Sequence, residues 1–103
     1  MVKLMCMFKL ADGVTSEELD DFYNKTHAEE VKTLKYVKKY IIGKVIESED
    51  KNEVYYMVNA LHYNTLEEAK ESVSTHFAVE SRNKLLKLVK DFKCMYIEEE
   101  TII

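Results

Sequence analysis

Thr15-Ser16-Glu17-Glu18-Leu19 and Thr65-Leu66-Glu67-Glu68-Ala69 are the two stretches on which the fold turns. Each has the form of a capping box. The threonine hydroxyl accepts from the amide of the glutamate three residues on, and that glutamate reaches back to the threonine backbone. Each therefore starts a helix, and each follows an apolar run that reads as a strand. Residues 2–10 precede the first box and are closed by Asp12-Gly13; Val54 to Tyr63 precede the second. After the first helix, Tyr36 to Ile46 is aromatic and β-branched and reads as a strand. After the short second helix, with Leu66, Ala69 and Val73 inward, a further helix is expected from about Phe77 to Asp91. It aligns Ala78, Leu85, Leu88, Val89 and Phe92, and a last strand follows over Lys93 to Glu98. The order is β-α-β-β-α-β with the second helical part in two pieces. Such a split β-α-β unit folds as a four-stranded antiparallel sheet with its helices on one face, a ferredoxin-like α+β domain.

Composition narrows the partners. The 103 residues are 47% hydrophobic and 33% charged, which is a globular balance. No composition shift marks a boundary, and the polar Glu47 to Glu53 reads as a hairpin loop, so residues 1–103 form one domain. With no proline and only Gly13 and Gly43, a glycine-rich phosphate loop is excluded. A net charge of −4 gives no general attraction to nucleic acid or to an anionic membrane. No run approaches the ~18 apolar residues of a membrane span, and Lys9 interrupts the short apolar N-terminus, which makes a poor signal peptide. Cys6 and Cys94 show no C-x-x-C spacing and read as buried free thiols, with a reducing cytoplasm as the expected location.

The strands carry more apolar surface than one layer of helices covers. In the first strand Val2, Leu4, Cys6 and Phe8 share one face while Met5 and Met7 lie on the other, between Lys3 and Lys9. In the third, Val54, Tyr56, Val58, Ala60 and His62 oppose Tyr55, Met57, Asn59, Leu61 and Tyr63. A monomer exposing the second face would show an apolar patch above the few hundred Å² usual for soluble monomers. A homodimer is expected, packed through the helix-free sheet faces so that two sheets enclose a barrel.

The first helix carries Leu19, Phe22, Tyr23, Thr26, Glu30 and Leu34 in one stripe, with His27 at its edge, one turn from Tyr23. From Gly13 to Val45 the chain resembles the EthD-like family of dimeric α+β-barrel proteins. Thr15-Ser16-Glu17-Glu18-Leu19 matches the family's helix start and Phe22-Tyr23 its aromatic pair. His27-Ala28 with Val31 and Leu34 matches its H-A-x-x-V-x-x-L frame, and Tyr40 the tyrosine opening the returning strand. Asn59-Ala60-Leu61-His62-Tyr63 with the second capping box is similar to its later strand and helix. The resemblance implies a homodimer with a pocket between sheet and first helix, among relatives linked to oxidative degradation of small organic molecules and to polyketide tailoring. Some positions depart from the pattern. Glu29-Glu30 replace Pro-Leu, Lys35-Tyr36 replace Pro-Gly, Ile42-Gly43 take an often polar place, and Ala60 and His62 stand where an acid and an aromatic are common.

His27 is the candidate acid/base group, because an imidazole exchanges protons near neutrality and the resemblance places it on the pocket side. Tyr23, Tyr40, Asn59 and His62 are the candidate substrate-binding residues. Asn59 and His62 fall on opposite faces of an ideal strand and serve one site only through a bulge. His76 has no assigned role. His27, His62 and His76 have no paired-ligand spacing, so no metal and no cofactor is expected. Lys32, Lys35, Lys38, Lys39 and Lys44 form a local basic patch that reads as a solvated face. Two functions follow. One is a cofactor-independent oxidoreductase or monooxygenase-type enzyme on a small apolar or aromatic molecule. The alternative is a non-catalytic dimer that binds such a ligand or stabilises a partner, which the lost polar positions favour. The tryptophan signature of haem-degrading and antibiotic-biosynthesis monooxygenases is absent, since the chain has no tryptophan.

Overall fold

The computed structural model describes residues 1–103. Strand β1 spans Val2–Leu10 and is followed by α1 over Ser16–Phe22, a π-helical turn over Tyr23–His27 and α2 over Ala28–Val31. The chain then runs through β2 (Lys39–Lys44), β3 (Met57–Tyr63), α3 (Leu66–Val73), α4 (His76–Leu86) and β4 (Val89–Glu98). The sheet order is β2-β3-β1-β4 with every neighbour antiparallel, the ferredoxin-like α+β arrangement.

The threonines do what their spacing dictates. Thr15 Oγ1 accepts from the Glu18 amide at 3.1 Å and the Glu18 carboxylate returns to Thr15, a complete box. Thr65 Oγ1 caps α3 through the Glu68 amide, also at 3.1 Å, but Glu68 does not return; its Oε1 is buried without a partner. A third cap not foreseen from sequence, Thr75 on the Ala78 amide, starts α4.

Register sets the covered face. Cys6 stands opposite Asn59 on one side and Cys94 on the other. Leu4, Cys6 and Phe8 are buried at alternate positions, as are Met57, Asn59, Leu61 and Tyr63. Two apolar clusters sit between this face and the helices: one around Leu4, Val31, Leu61 and Tyr63, the other around Phe8, Leu19, Met57 and Leu85. Alternate residues Met5, Met7, Val58, Ala60, Met95 and Ile41 fall on the opposite face, which no helix covers.

Three expectations are corrected. The thiols are not free and Cys94 is not buried. Cys6 and Cys94, directly opposed in the β1–β4 ladder, form a disulfide across a sequence separation of 88, with the Cys94 residue exposed. Closing so long a loop contributes about 2–4 kcal/mol by restricting the unfolded chain. The bridge also removes the free-thiol argument for a reducing compartment, because disulfides persist in oxidising surroundings. Second, α4 ends at Leu86 rather than Asp91, and Val89 and Phe92 belong to a longer β4. The Ala11 amide takes the Leu88 carbonyl at 3.0 Å and Val89 pairs with Leu10, so the strand captures residues whose spacing also suits a helix. A bulge opposite Met7–Lys9, with Asp91 at φ 52°, absorbs the offset. Third, the first helix is not one regular α-helix. The Ala28 amide reaches back to the Tyr23 carbonyl, the i→i+5 bond of a π-turn.

That turn shifts the buried stripe. The buried residues become Leu19, Tyr23, His27 and Val31, a strict four-residue spacing. His27 moves from the stripe's edge to its centre. No helix in the chain is long and apolar enough to cross a membrane.

Candidate functional site

The helices do not close completely on the sheet. A cavity of about 150 Å³ lies between them, walled mainly by apolar side chains from every strand and from the helical segments after Phe22. Its volume matches that of an engineered protein cavity of about 150 Å³ that binds benzene. Room for one six-membered ring is therefore present.

One polar wall is built from the π-turn and the neighbouring strands. Tyr23 is fully buried, and its hydroxyl accepts from Asn59 Nδ2 at 2.7 Å. The same oxygen lies 2.7 Å from the Tyr40 hydroxyl. The two phenols own two hydroxyl protons and spend one between themselves, so one O–H donor is left for whatever occupies the cavity. Burial, then the neighbouring Tyr40, push the Tyr23 phenol well above its ordinary range. Burial pushes Tyr40 up to about 12. Both are neutral donors at physiological pH.

The second polar element is His27, 7% exposed, with its ring centroid 4.8 Å from that of Tyr23. Its Nδ1 lies 3.3 Å from Ser81 Oγ. Ser81 gives its only hydroxyl proton to Glu30 Oε1 at 2.9 Å, and Glu30 Oε2 takes Lys84 Nζ at 2.8 Å. A hydroxyl that donates to a carboxylate has only lone pairs to offer the ring, so Nδ1 carries the proton and Nε2 the free pair. Nε2 makes no side-chain hydrogen bond, and the ring lines the cavity. Burial, the dominant cause, lowers His27 to about 4 against the opposing pull of Glu30, leaving a neutral imidazole. Lys84, with Ser81, holds the Glu30 carboxyl below its ordinary range.

Tyr23, His27, Tyr40 and Asn59 thus come together around one cavity. His62 does not. Strand β3 has no bulge: its register runs unbroken against both β1 and β2. His62 therefore faces the open side, paired with Lys3 and Lys39, and its Nδ1 lies 3.3 Å from Glu99 Oε1. His76 is exposed on α4 beside Glu80. Sequence reasoning missed Ser81, Arg82 and Glu30. The signal for Ser81 was Thr75, whose cap fixes the phase of α4. Ala78, Ser81 and Leu85 then share its inner face, with a serine in an otherwise apolar row.

No protein-family model and no curated protein sequence matches the chain. Solved structures do. An ethyl tert-butyl ether d (EthD) family protein from Bacillus halodurans is 19% identical, with a TM-score of 0.84 over 97% of this chain and 99% of its own. A hydroxynitrile lyase from Passiflora edulis is 9% identical, with a TM-score of 0.80 over 99% and 96%. A dimeric protein of ferredoxin-like fold from Bacteroides fragilis is 20% identical, with a TM-score of 0.73 over 95% of each chain. The architecture is therefore that of the ferredoxin-like α+β class to which the EthD family protein also belongs. At these identities the likeness concerns the fold.

Proposed function

We propose that the protein is a homodimer that binds a small, largely apolar or aromatic molecule in the cavity beside the π-turn, and that His27 exchanges a proton with it. One observation carries this reading. An apolar cavity of single-ring size holds both an unshared imidazole lone pair and an uncommitted phenol proton. A ring lying between them meets an acceptor and a donor. His27 Nε2 would take a proton from an acidic O–H or C–H, and the Tyr23–Tyr40 pair, aligned by Asn59, would donate to the oxygen on which charge gathers. The oxidoreductase form of this reading uses dioxygen as the oxidant of the anion so formed. The apolar open face of the sheet, and the dimeric description of the Bacteroides fragilis structure, support self-association through that face.

A second reading is a binding dimer without catalysis. The low basicity that burial imposes on His27 favours it. Turnover of a panel of phenolic and quinone-like compounds separates the two. His27→Gln is expected to keep the dimer and ligand binding while turnover falls at least ~100-fold, the range of general base catalysis. Equal turnover in wild type and variant removes His27 from the chemistry, and turnover in neither leaves the binding dimer.

A further inference from the structure

The polar wall described above is electrically neutral, yet the cavity as a whole is not. Among its lining residues there is no carboxylate and no lysine. His27 is neutral there, for the reasons given. The one remaining charged group on the lining is Arg82 of α4, the only arginine in a chain that otherwise uses lysine for every cation. A protein of net charge −4 therefore presents a cavity whose own formal charge is positive.

Arg82 is also unspent. Lysines elsewhere are widely paired with acids: Lys9 with Glu53 and Asp91, Lys44 with Asp20, Lys90 with Asp12. Arg82 makes no ion pair and no side-chain hydrogen bond. The acid that serves this wall, Glu30, is engaged elsewhere: Ser81 donates to one of its oxygens and Lys84 to the other. The two neighbours in sequence divide the work. Ser81 faces inward and is buried; Arg82 stands exposed at the cavity's edge, with a guanidinium free to turn over it.

A guanidinium offers a planar fork of N–H donors that matches the two oxygens of a carboxylate, which a lysine ammonium does not. Because it sits at the rim, it can hold an anionic group in partly hydrated surroundings while the apolar part of the same molecule fills the interior. We infer that the ligand of this cavity is a single-ring aromatic carboxylate, its carboxylate held by Arg82 at the mouth and its ring among the apolar walls. A ring hydroxyl or carbonyl would then meet the Tyr23–Tyr40 pair and His27. This inference rests on the reading of the cavity as a ligand site and adds the charge of the ligand to it.

The test compares 4-hydroxybenzoate with its uncharged methyl ester and with phenol, by titration calorimetry and amide chemical-shift mapping, on wild type, Arg82→Gln and Arg82→Lys. Arg82 is exposed, so both variants are expected to fold as wild type does. Wild type should bind the carboxylate at least ~10-fold more tightly than the ester, in line with the strength of a charge-assisted bidentate pair. Arg82→Gln should abolish that preference and leave phenol binding unchanged. Arg82→Lys should restore only part of it. If carboxylate and ester bind wild type equally, with shifts at Tyr23 and His27, the cavity reading stands and the role of Arg82 is overturned. A preference that survives in Arg82→Gln overturns it too. If none of the three compounds binds, the cavity reading and this inference fall together.

Discussion

On the covered face of the sheet, Leu4, Cys6 and Phe8 of β1 stand beside Met57, Asn59 and Leu61 of β3, under helices that bury them. One residue along each strand, on the open face, Met5, Met7, Val58 and Ala60 form a row of similar apolarity with nothing above it. The faces differ in their polar content. The covered face admits Asn59 and Tyr40, whose Nδ2 and hydroxyl both meet the Tyr23 hydroxyl in the π-turn. At its centre the open face has only Met, Val, Ala, Ile and Gly43, and its charges, Lys3, Lys9, Lys39 and Lys93, lie around them. A buried polar group costs free energy unless it is paired, so polar atoms mark the face built to hold something specific. An apolar centre with a charged rim has the character of a protein interface. On the reading proposed above, one sheet presents a ligand surface and an association surface back to back.

The strongest way to break that division is to place a charge at the centre of the open face. Ala60 pairs with Met5 on one side and Ile41 on the other, at the middle of the row. In a two-fold dimer Ala60→Glu would bring two carboxylates into the same apolar interface. Like charges held in such a place cost several kcal/mol, so the dissociation constant should rise by about a thousandfold, as read by analytical ultracentrifugation. Binding of phenol in the cavity on the other face should persist. An Ala60→Glu protein that stays dimeric would move the interface elsewhere, and a monomeric wild type would remove it.

A second prediction concerns the covered face and acid. His27 is held neutral in the fold with its pKa lowered to about 4, whereas in the unfolded chain it titrates near its ordinary 6.5. Between these values the unfolded chain binds a proton that the native protein refuses. Stability is therefore full above about pH 6.5 and falls as pH drops toward 4. The expected loss attributable to His27 between pH 8 and pH 5 is about 2 kcal/mol. Glu30, whose carboxyl is held low by Lys84, adds its own loss only at more acid pH, below its ordinary 4.5. Urea unfolding of wild type and His27→Gln at pH 8 and pH 5 isolates the histidine, because the variant should lack this part of the slope. Identical slopes would mean that the ring is solvated in the native protein and the cavity wall is open there.

How legible this was depends on the kind of signal. Capping boxes and strand alternation act locally, so Thr15, Thr65 and the period-two pattern sufficed for element order and sheet. His27, Tyr23, Tyr40 and Asn59 were legible because the first helix places two of them inward and β2 and β3 one each. What escaped needed contacts distant in sequence. The Cys6–Cys94 bridge follows from β1 and β4 being neighbours in register. Glu30 and Ser81 meet only because α4 packs beside the π-turn. That turn inserts one residue without a composition mark, and it alone moves His27 from the edge of a stripe to a buried wall. His62 shows the converse: its chemistry suggested a site, and strand parity, with no bulge to reverse it, sent it to the other face.

The smallest expected effect tests what decides which face β2 presents. Tyr40 points to the covered face and Ile41 to the open one, and a slip of one residue would exchange them. The segment entering β2 turns at Tyr36, which adopts φ 71°, and the Lys38 amide then takes the His62 carbonyl at 2.8 Å to fix the register. A left-handed conformation costs a non-glycine residue roughly 1–2 kcal/mol, and the EthD-like pattern has glycine at this place. Tyr36 is 38% exposed; its ring has Lys35 Nζ 5.4 Å from the centroid and its hydroxyl faces the Glu71 carboxylate, both exposed contacts of small worth. Replacing it with glycine removes the strain but adds backbone entropy to the unfolded chain, worth roughly 0.5–1 kcal/mol. Tyr36→Gly should therefore raise stability by a few tenths to about 1 kcal/mol, measured by urea unfolding, with the Tyr23–Tyr40 contact retained. Asp91, the other non-glycine residue at positive φ, is of a type that tolerates the left-handed region, so Asp91→Gly should gain less. If Tyr36→Gly instead destabilises and loosens β2, the tyrosine ring rather than the turn geometry holds the edge strand in register. The separation of the two faces along β2 would then depend on a side chain that the glycine pattern does without.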